Sequence, residues 1–458
     1  MEHEVKNTMS YPVRISRENR KHIQNTVDYY QSAVNFLVDI AAKEWDYLAS
    51  FNSTERQGVF DKMVHATSRR KAKYSSFDRR FYKMPSYLRR SAQRTALGIV
   101  SSWKSNLQNW IDQGMEGKAP QLGRWHPVMP AFYRGNCFQL DGNTCSLKLR
   151  VDNDWKWVSF ELNKSDLAYI ERHFSIDEAS APVLENRHGK YGLRFTFTSS
   201  TPLPEEVHTV CAVDLGINHD AVCSIVHKDG TVTARKFINS AGNKDRMWTI
   251  FNQIRKAQSK GSRHTRALWR EYDGYSKAVV NDTVKGIIDF ASENGADCIV
   301  MEHLDFSGWI KGSKKYRLSL WRKKDILHRV EQKAHRHNMR FSTVCPWNTS
   351  RLAYDGSGRV ERDEKKHSLC TFANQKQYNC DLSASYNIGA RYFIRSFING
   401  FTKSCDESQR LDLQAKVPDA FTRTQSTLST LIRLNTAAGG LRLNLSSDCI
   451  SGEAVFPA

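Results

Sequence analysis

The fold is decided by the stretch TVCAVDLGI, which occupies residues 209–217. Its small and β-branched residues predict a buried strand, and Asp214 falls where that strand opens onto a turn containing Gly216. A carboxylate in this place is fixed by the sheet and still reaches solvent. Asp214 could also do no more than end a strand, so its meaning depends on the rest of the chain.

Two further strands are predicted directly after this one. The first runs from Ala221 to Val226, and Asp229-Gly230 predicts a hairpin turn into a strand over Thr231–Ala234. An antiparallel meander with an acid on its first strand is how an RNase H-like domain begins.

A second acid, Glu302, closes the apolar run ADCIVME at residues 296–302. An amphipathic segment from about Lys277 to Asn294 precedes this run and stops at Gly295, which predicts a helix followed by a strand. A continuous apolar run after a helix is typical of a parallel strand, and open α/β sheets build their sites at the carboxyl ends of such strands. Glu302 is therefore expected at the same edge of the sheet as Asp214.

A third acid, Asp381, stands at the position of a helix N-cap. Leu382, Ile388 and Phe393 supply apolar positions for the helix predicted after it. Taken alone, Asp381 could be only a cap. Three acids at the ends of three separate elements instead favour a metal site.

These segments together carry a family resemblance. AVDLGIN at 212–218, IVMEHL at 299–304 and the pattern N-x-D-x-x-A-x-x-N-I at 379–388 resemble the three RuvC motifs of the transposon-encoded TnpB proteins and the compact type V CRISPR effector nucleases. WNTSR at 347–351 resembles the Thr-Ser-(Gln/Lys/Arg) element between the second and third motifs. The matching region runs from about Val207 to Arg395.

The resemblance implies an RNA-guided DNA endonuclease with Asp214, Glu302 and Asp381 as catalytic acids and Mg²⁺ ligands. Hydrolysis of a phosphodiester needs an activated water and a stabilised leaving oxygen, and two Mg²⁺ ions about 4 Å apart supply both. Hard Mg²⁺ prefers carboxylate oxygens. By analogy Asp214 bridges the two ions, and Arg351 neutralises substrate charge.

Composition points to a polyanionic partner. The 458 residues include 68 Lys and Arg against 48 Asp and Glu, a formal net charge of +20. No apolar run approaches the roughly 20 residues of a membrane-spanning helix, and residues 1–10 lack the apolar core of a signal peptide. Ten scattered cysteines suggest reduced thiols in a prokaryotic cytoplasm.

The segment before Val207 is predicted to contain two domains, giving an α+β multidomain protein. Residues 1–15 and 119–206 are rich in alternating strands and predict a small β-barrel or sandwich. Residues 16–118 predict helices inserted between these two β segments. The resemblance implies that the barrel holds the guide-RNA scaffold and that the helical insertion contacts the RNA–DNA heteroduplex.

Candidate nucleic-acid contacts are the cations in the most basic stretches, some of them interleaved with aromatic rings that can stack on bases. They are Arg69, Arg70, Lys71, Arg79, Arg80, Arg89 and Arg90 in the first half of the chain, and Arg263, Arg266, Arg270, Lys314, Lys315, Arg322, Lys323 and Lys324 in the second. A solvated charged face is the alternative reading of these stretches. The expected partners are a guide RNA and double-stranded target DNA, without a membrane; the oligomeric state is left open.

Residues 351–380 depart from the family pattern. Relatives usually place a zinc ribbon of two Cys-x-x-Cys pairs here, which supplies the four thiolates of a closed tetrahedral site. This chain has Ala353 and Gly356 at the first pair, and Cys370 followed by Ala373 at the second. We therefore expect no structural zinc. Residues 396–458 are expected to be an appendage or a partly disordered tail of unknown role.

Two other functions stay open at this stage. A catalytically silent RNA-guided repressor is disfavoured by the three intact acids. A DDE-type transposase also presents three carboxylates on an RNase H-like core, but it would act without a guide RNA.

Overall fold

The computed structural model describes residues 4–123, 127–187, 189–216, 219–303, 321–363, 368–404 and 406–439. The chain forms two compact units: the first is Thr8–Ser199, and the second combines Met1–Asn7 with Ser200–Ala458. Several separate sheets and many helices make the protein a mixed α/β multidomain chain. None of the described helices is both long enough and apolar enough to span a bilayer.

The first unit contains a helical layer whose long helices are amphipathic. The helices are α1 (Arg20–Lys43), α2 (Trp45–Leu48), α3 (Ser53–Val64), α4 (Ser76–Arg80) and α5 (Ser86–Asp112). Helix α1 buries an apolar stripe, since Ile23, Val34 and Leu37 lie in the core. Tyr30 fixes α1 to α5 because its hydroxyl lies 2.9 Å from the Ser91 hydroxyl. These helices account for most of the residues in which a helical insertion is predicted.

The strands of the first unit form two three-stranded sheets. They are β1 (Glu4–Arg14), β2 (Phe138–Asp141), β3 (Thr144–Val151), β4 (Asp154–Glu161), β5 (Val183–Arg187) and β6 (Lys190–Pro202), with α6 (Lys164–Glu171) between β4 and β5. The strand orders are β1-β6-β5 and β2-β3-β4. Isolated bridges, Ile15 to Leu162 and Ala131 to Val183, supplement these ladders. A closed barrel therefore stays a prediction.

The second unit is built on one five-stranded sheet. Its strands are β7 (Thr209–Leu215), β8 (Ala221–His227), β9 (Val232–Ile238), β10 (Cys298–Glu302) and β11 (Arg340–Val344), in the order β11-β10-β7-β8-β9. The predicted meander is confirmed, because β7, β8 and β9 pair antiparallel. The predicted parallel strand is confirmed as well, because β10 runs parallel to both β7 and β11.

Helices cover both faces of this sheet. They are α7 (Ala241–Ser259), α8 (Arg266–Glu293), α9 (Lys323–Arg336), α10 (Cys380–Ser404), α11 (Glu407–Lys416) and α12 (Leu428–Gly439). Ile287 of α8 and Val330 of α9 share one apolar core with the sheet. Ile388 of α10 and Leu431 of α12 belong to the core on the opposite face. The sheet is thus buried on both sides, as the continuous apolar runs predict.

Gly389 lets α10 lie unusually close to the sheet. A Cβ atom at this position would stand 2.7 Å from Cγ2 of Val226 and 3.1 Å from Cβ of Ala212, so only glycine fits without displacing the helix. The close approach matters because α10 begins with the segment that carries Asp381.

The segment expected to replace the zinc ribbon folds into a small sheet. Its strands are β12 (Glu361–Arg362), β13 (Leu369–Thr371) and β14 (Gln377–Asn379), in that order. Ala353, Cys370, Phe372 and Cys380 form a buried apolar cluster beneath it. Packing of this kind can hold the segment together without a metal. His367 stands three residues before Cys370, a spacing at which both could bind zinc, but it lies outside the described residues. The absence of zinc therefore stays a prediction.

The region after Arg395 differs from the expected tail. Helix α10 continues through Ser404, so the boundary drawn at Arg395 falls within a helix. Leu413, Leu431 and Leu434 are buried in the core that α10 shares with the sheet. The apolar positions of two short helices are too few to show a clear period in the sequence, and residues 440–458 lie outside the described residues.

Candidate active site

Asp214 and Glu302 lie side by side on neighbouring strands. Val213 of β7 pairs with Met301 of β10, so the next residues of these parallel strands are the two acids. Alternation places both on the face that contains Val210, Ala212, Cys298 and Val300, which packs against α10. Neighbouring strands are about 4.8 Å apart, so both carboxyl groups can reach one small volume.

Asp381 approaches the same volume from the first turn of α10. Asp381 does not stand at the N-cap position, so the alternative of a purely capping role does not apply. Asn379 performs the capping, since its side-chain oxygen accepts a hydrogen bond of 2.9 Å from the backbone N–H of Leu382. The Asp381 carboxylate is therefore not needed to cap the helix, and its charge acts on Asp214.

The three carboxyl groups interact electrostatically. Burial raises the pKa of Asp214 well above its ordinary value, and the charges of Glu302 and Asp381 raise it further. Burial also raises the pKa of Glu302 and of Asp381. Three acids thus share a desolvated pocket whose negative charge is not balanced within the cluster, an arrangement typical of functional sites.

The residues fit Mg²⁺ in their chemistry. All three donors are carboxylates, which Mg²⁺ prefers, and a divalent cation would neutralise the repulsion that raises the pKa of Asp214. The side chains do not yet form a coordination shell, because the described ranges contain no group of three or more His, Cys, Asp and Glu side chains placed to hold an ion. The ligand role of the acids therefore stays a prediction.

Thr349 supports Glu302 from the loop that follows β11. Its hydroxyl donates a hydrogen bond to the Glu302 carboxylate and lowers the pKa of that acid against the effect of burial. Thr349 is only 2% exposed, so water cannot replace this donor. The Thr-Ser-Arg element thus contributes through its threonine.

Two polar side chains of α10 hold this loop in place. The Asn387 amide donates to the backbone oxygens of Thr349 and Leu352, at 3.0 Å each. Arg391, 4% exposed, donates to the backbone oxygens of Cys345 (2.7 Å) and Trp347 (2.8 Å). The same two side chains bind the segment before α12, because Asn387 accepts from Leu428 N–H at 3.1 Å and Arg391 donates to the Ser426 oxygen at 3.1 Å.

Replacing Thr349 by valine tests the support of Glu302. Valine keeps the shape but removes the donor, and a hydrogen bond to a charged group contributes about 1.5–3 kcal/mol. We expect a cleavage rate about 10- to 100-fold lower. Thr349→Ser, which keeps the hydroxyl, should retain most of the rate in single-turnover cleavage assays. Equal rates for the valine and serine variants would contradict the role.

Three positively charged or ionisable side chains act on the acids: Arg362 on Asp214, His219 and then Arg362 on Asp381, and Arg391 on Glu302. The charge of Arg362 lowers the pKa of Asp214 and Asp381 against the effect of burial, and its guanidinium donates to the backbone oxygen of Ser350 at 3.2 Å. Arg351 has no such effect on the pKa of Asp214 or Asp381, although both arginines are exposed to solvent. The charge-neutralising role of Arg351 stays a prediction, and Arg362 is a second candidate for that role. No local sequence pattern indicates Arg362, because its approach to the acids depends on the folding of β12.

Replacing Arg362 and Arg351 separately compares the two arginines. Since the Arg362 guanidinium already lies near the acids, Arg362→Ala should lower single-turnover cleavage about 10-fold or more, whereas Arg351→Ala should change it less. Arg362→Lys preserves the charge and should restore part of the rate. The opposite ranking would assign the role to Arg351.

His219 is a further neighbour that the motifs did not single out. Its Nδ1 lies 3.8 Å from an Asp381 carboxylate oxygen, and its ring packs edge-on against Phe237, with ring centroids 5.3 Å apart. The turn containing His219 is tight, since a Cβ on Gly216 would stand 2.9 Å from the His219 backbone oxygen. The chain position, five residues after Asp214, was the only available signal.

The predicted nucleic-acid contacts divide into exposed and structural side chains. The exposed ones are Arg69, Lys71, Arg79, Arg80, Arg90, Arg263, Arg266, Arg270 and Lys324. Arg89 does not belong with them, because it is 9% exposed and pairs with Asp61 at 3.3 Å. Lys323 is buried, and Arg322 is half-buried and pairs with Asp273 and Asp325.

Arg70, also predicted, is half-buried, and its guanidinium donates to the His65 backbone oxygen at 3.0 Å. Lys314 and Lys315 lie outside the described residues. Binding of nucleic acid stays a prediction for the exposed cations, whereas the buried and ion-paired cations stabilise the fold. A basic run in sequence cannot distinguish these roles, because acids elsewhere in the chain decide which cations are paired.

Comparisons with known proteins give matches of low identity. A model of the Aq_aa04 family matches residues 7–151, less than half of the chain. No curated protein matches the sequence significantly.

Solved structures similar to this chain include a Cas12f1–sgRNA–target DNA complex, with 14% identity, a TM-score of 0.32, and coverage of 84% of this chain and 99% of that one. The mini-RNA-guided endonuclease CRISPR-Cas_phi3 has 9% identity and a TM-score of 0.49, covering 84% and 92%. The AacC2c1–sgRNA–non-target DNA ternary complex has 10% identity and a TM-score of 0.43, covering 78% and 62%. Since these TM-scores lie below 0.5, no residue role is transferred from them.

Proposed function

We propose that this protein is an RNA-guided DNA endonuclease that hydrolyses phosphodiesters with Mg²⁺. The observation that supports the proposal is that Asp214 and Glu302 end neighbouring strands and that the charges of Glu302 and Asp381 both raise the pKa of Asp214. The ordered RuvC-like motifs supply the reaction class, and the positive net charge supports binding of two nucleic acids.

Each residue of the site has a task in this reaction. Asp214, Glu302 and Asp381 would hold Mg²⁺, which when bound activates a water and stabilises the leaving oxygen. Thr349 keeps the Glu302 carboxylate oriented, and Arg362 offers a positive charge near the place where the phosphate must lie. Base pairing between guide and target would select the DNA sequence, next to a short flanking motif read by the protein.

The proposal is tested on the protein purified from cells. RNA that copurifies with it is sequenced, and a plasmid matching the RNA is incubated with the complex and Mg²⁺. We expect a discrete bound RNA and cleavage that follows the sequence of that RNA. A protein without bound RNA that joins DNA ends would indicate a DDE-type transposase, and a guide-bound protein that never cuts would indicate a repressor.

A further inference from the structure

An exposed indole lies close to the candidate active site. Trp347 is 69% exposed, although tryptophan carries one of the largest apolar surfaces of any residue. It belongs to the loop after β11, two residues before Thr349, so the two Cα atoms are at most about 7 Å apart. Because Thr349 contacts Glu302, the loop that carries the indole adjoins the acids.

The backbone under this indole is held firmly. Arg391 donates to the carbonyl oxygens of Cys345 and Trp347, at 2.7 and 2.8 Å. The next residue, Asn348, has a φ of 63° and donates from its side chain to the Thr424 oxygen at 3.3 Å. A fixed backbone presents the ring without the ordering cost that a flexible loop would bring.

The chemistry of the ring identifies the kind of partner. In the part of the chain that the structure describes, no recorded ring, cation or hydrogen-bond partner engages the indole. An aromatic face beside a phosphate-hydrolysing site suits a nucleobase, and every base has a face that stacks. Bases in a duplex are already stacked on one another, so only an unpaired base has a free face.

We propose that Trp347 binds an unpaired base of the single strand that enters the site, and this inference rests on the proposed nuclease function. Stacking next to the scissile position would hold the strand in register with the acids. It would also favour single-stranded substrate over duplex. Since every base stacks, the contact would be largely independent of sequence.

Binding of a short oligothymidylate to the full-length, guide-loaded protein tests this inference. The measurement is made in an Asp214→Asn background, by fluorescence anisotropy of a labelled oligonucleotide, so that it does not depend on cleavage. We expect Trp347→Ala to weaken binding about 10-fold and Trp347→Phe to retain most of it. Leu411→Ala, which removes another exposed apolar side chain of the same unit, should leave binding unchanged.

Two further probes separate stacking from other contacts. An oligonucleotide of abasic sites keeps the phosphates but has no bases, so the parent and Trp347→Ala proteins should bind it equally. A blunt duplex should likewise show no dependence on Trp347. The inference is overturned if Trp347→Ala binds oligothymidylate as tightly as the parent, or if its defect persists on the abasic strand. Trp347-dependent binding by a protein that never cuts would instead reject the nuclease.

Discussion

Asp214→Asn is expected to abolish cleavage while raising the thermal stability of the metal-free protein. Asparagine cannot supply the anionic oxygen with which Asp214 would hold Mg²⁺, so the cleavage rate should fall about 10³-fold or more. The stability effect has the opposite sign because Asp214 is held beside two other acids in a desolvated place. Removing one of three like charges relieves their repulsion.

The dependence on pH follows from the direction of the shift. An acid whose pKa is higher in the folded chain than in the unfolded chain keeps its proton to a higher pH when the chain is folded. Between the two pKa values the folded state binds more protons, so the free energy of unfolding decreases as pH rises through that interval. Burial raises the pKa of all three acids, so metal-free wild type should lose stability as pH rises above about 4. The Asp214→Asn variant should lose less.

Thermal unfolding with and without Mg²⁺ measures both effects. Wild type should melt higher when Mg²⁺ is added, because a ligand that binds only the folded state stabilises it. Asp214→Asn should melt higher than wild type without Mg²⁺ and respond little to it. Asp412→Asn, at a surface ion pair with Lys416, is the control and should behave as wild type. An Asp214→Asn protein that cuts normally would remove the site assignment.

Arg391→Leu is expected to lower both the stability of the second unit and cleavage. The guanidinium donates to four backbone oxygens, those of Cys345, Trp347, Thr424 and Ser426. Its burial lowers the pKa of Arg391 to about 10, so it remains charged at neutral pH. Leaving these oxygens without a donor should cost about 3–5 kcal/mol, which corresponds to a melting temperature roughly 10 °C lower.

Cleavage should fall for a second reason, because the loop that Arg391 holds carries Thr349. A small displacement of a positioning group can cost about 100-fold in rate. The rate is measured well below the melting temperature of the variant, where the chain remains folded. Arg391→Lys keeps the charge but lacks the forked donors, so it should recover only part of the loss. Arg410→Leu, on the exposed side of α11, should change neither quantity, whereas an unaffected Arg391→Leu protein would contradict the network.

Local patterns predicted the part of the site that lies on strands. Alternation in TVCAVDLGI and the apolar run before Glu302 determine which face each acid occupies, and the pairing of β7 with β10 confirms that both share one edge. The alternation of side chains between the two faces of a strand is a local property, so it can be predicted without knowing the tertiary structure.

Contacts between distant segments could not be predicted in this way. Asn379 rather than Asp381 caps α10 because the helix begins slightly earlier than the pattern predicts. Sequence patterns locate helix ends only to within a few residues. The approach of Arg362 to the acids depends on how β12 pairs with β13. The hydrogen bond from Arg391 to the Ser426 backbone oxygen, in the segment before α12, joins residues more than 30 positions apart. Such contacts arise from tertiary packing, which leaves no period in the sequence.

The glycine at position 389 has a consequence for the ions that the proposed nuclease could use. Because its missing side chain allows the close approach of helix to sheet, we expect a larger residue there to move Asp381, earlier on the same helix, away from the other two carboxylates. Ionic radius increases from Mg²⁺ to Mn²⁺ to Ca²⁺, and each radius needs its own spacing of oxygens. Successively larger residues at this one buried position would increase the distance between helix and sheet in steps. Metal preference could then be engineered at a position that does not itself bind the ion.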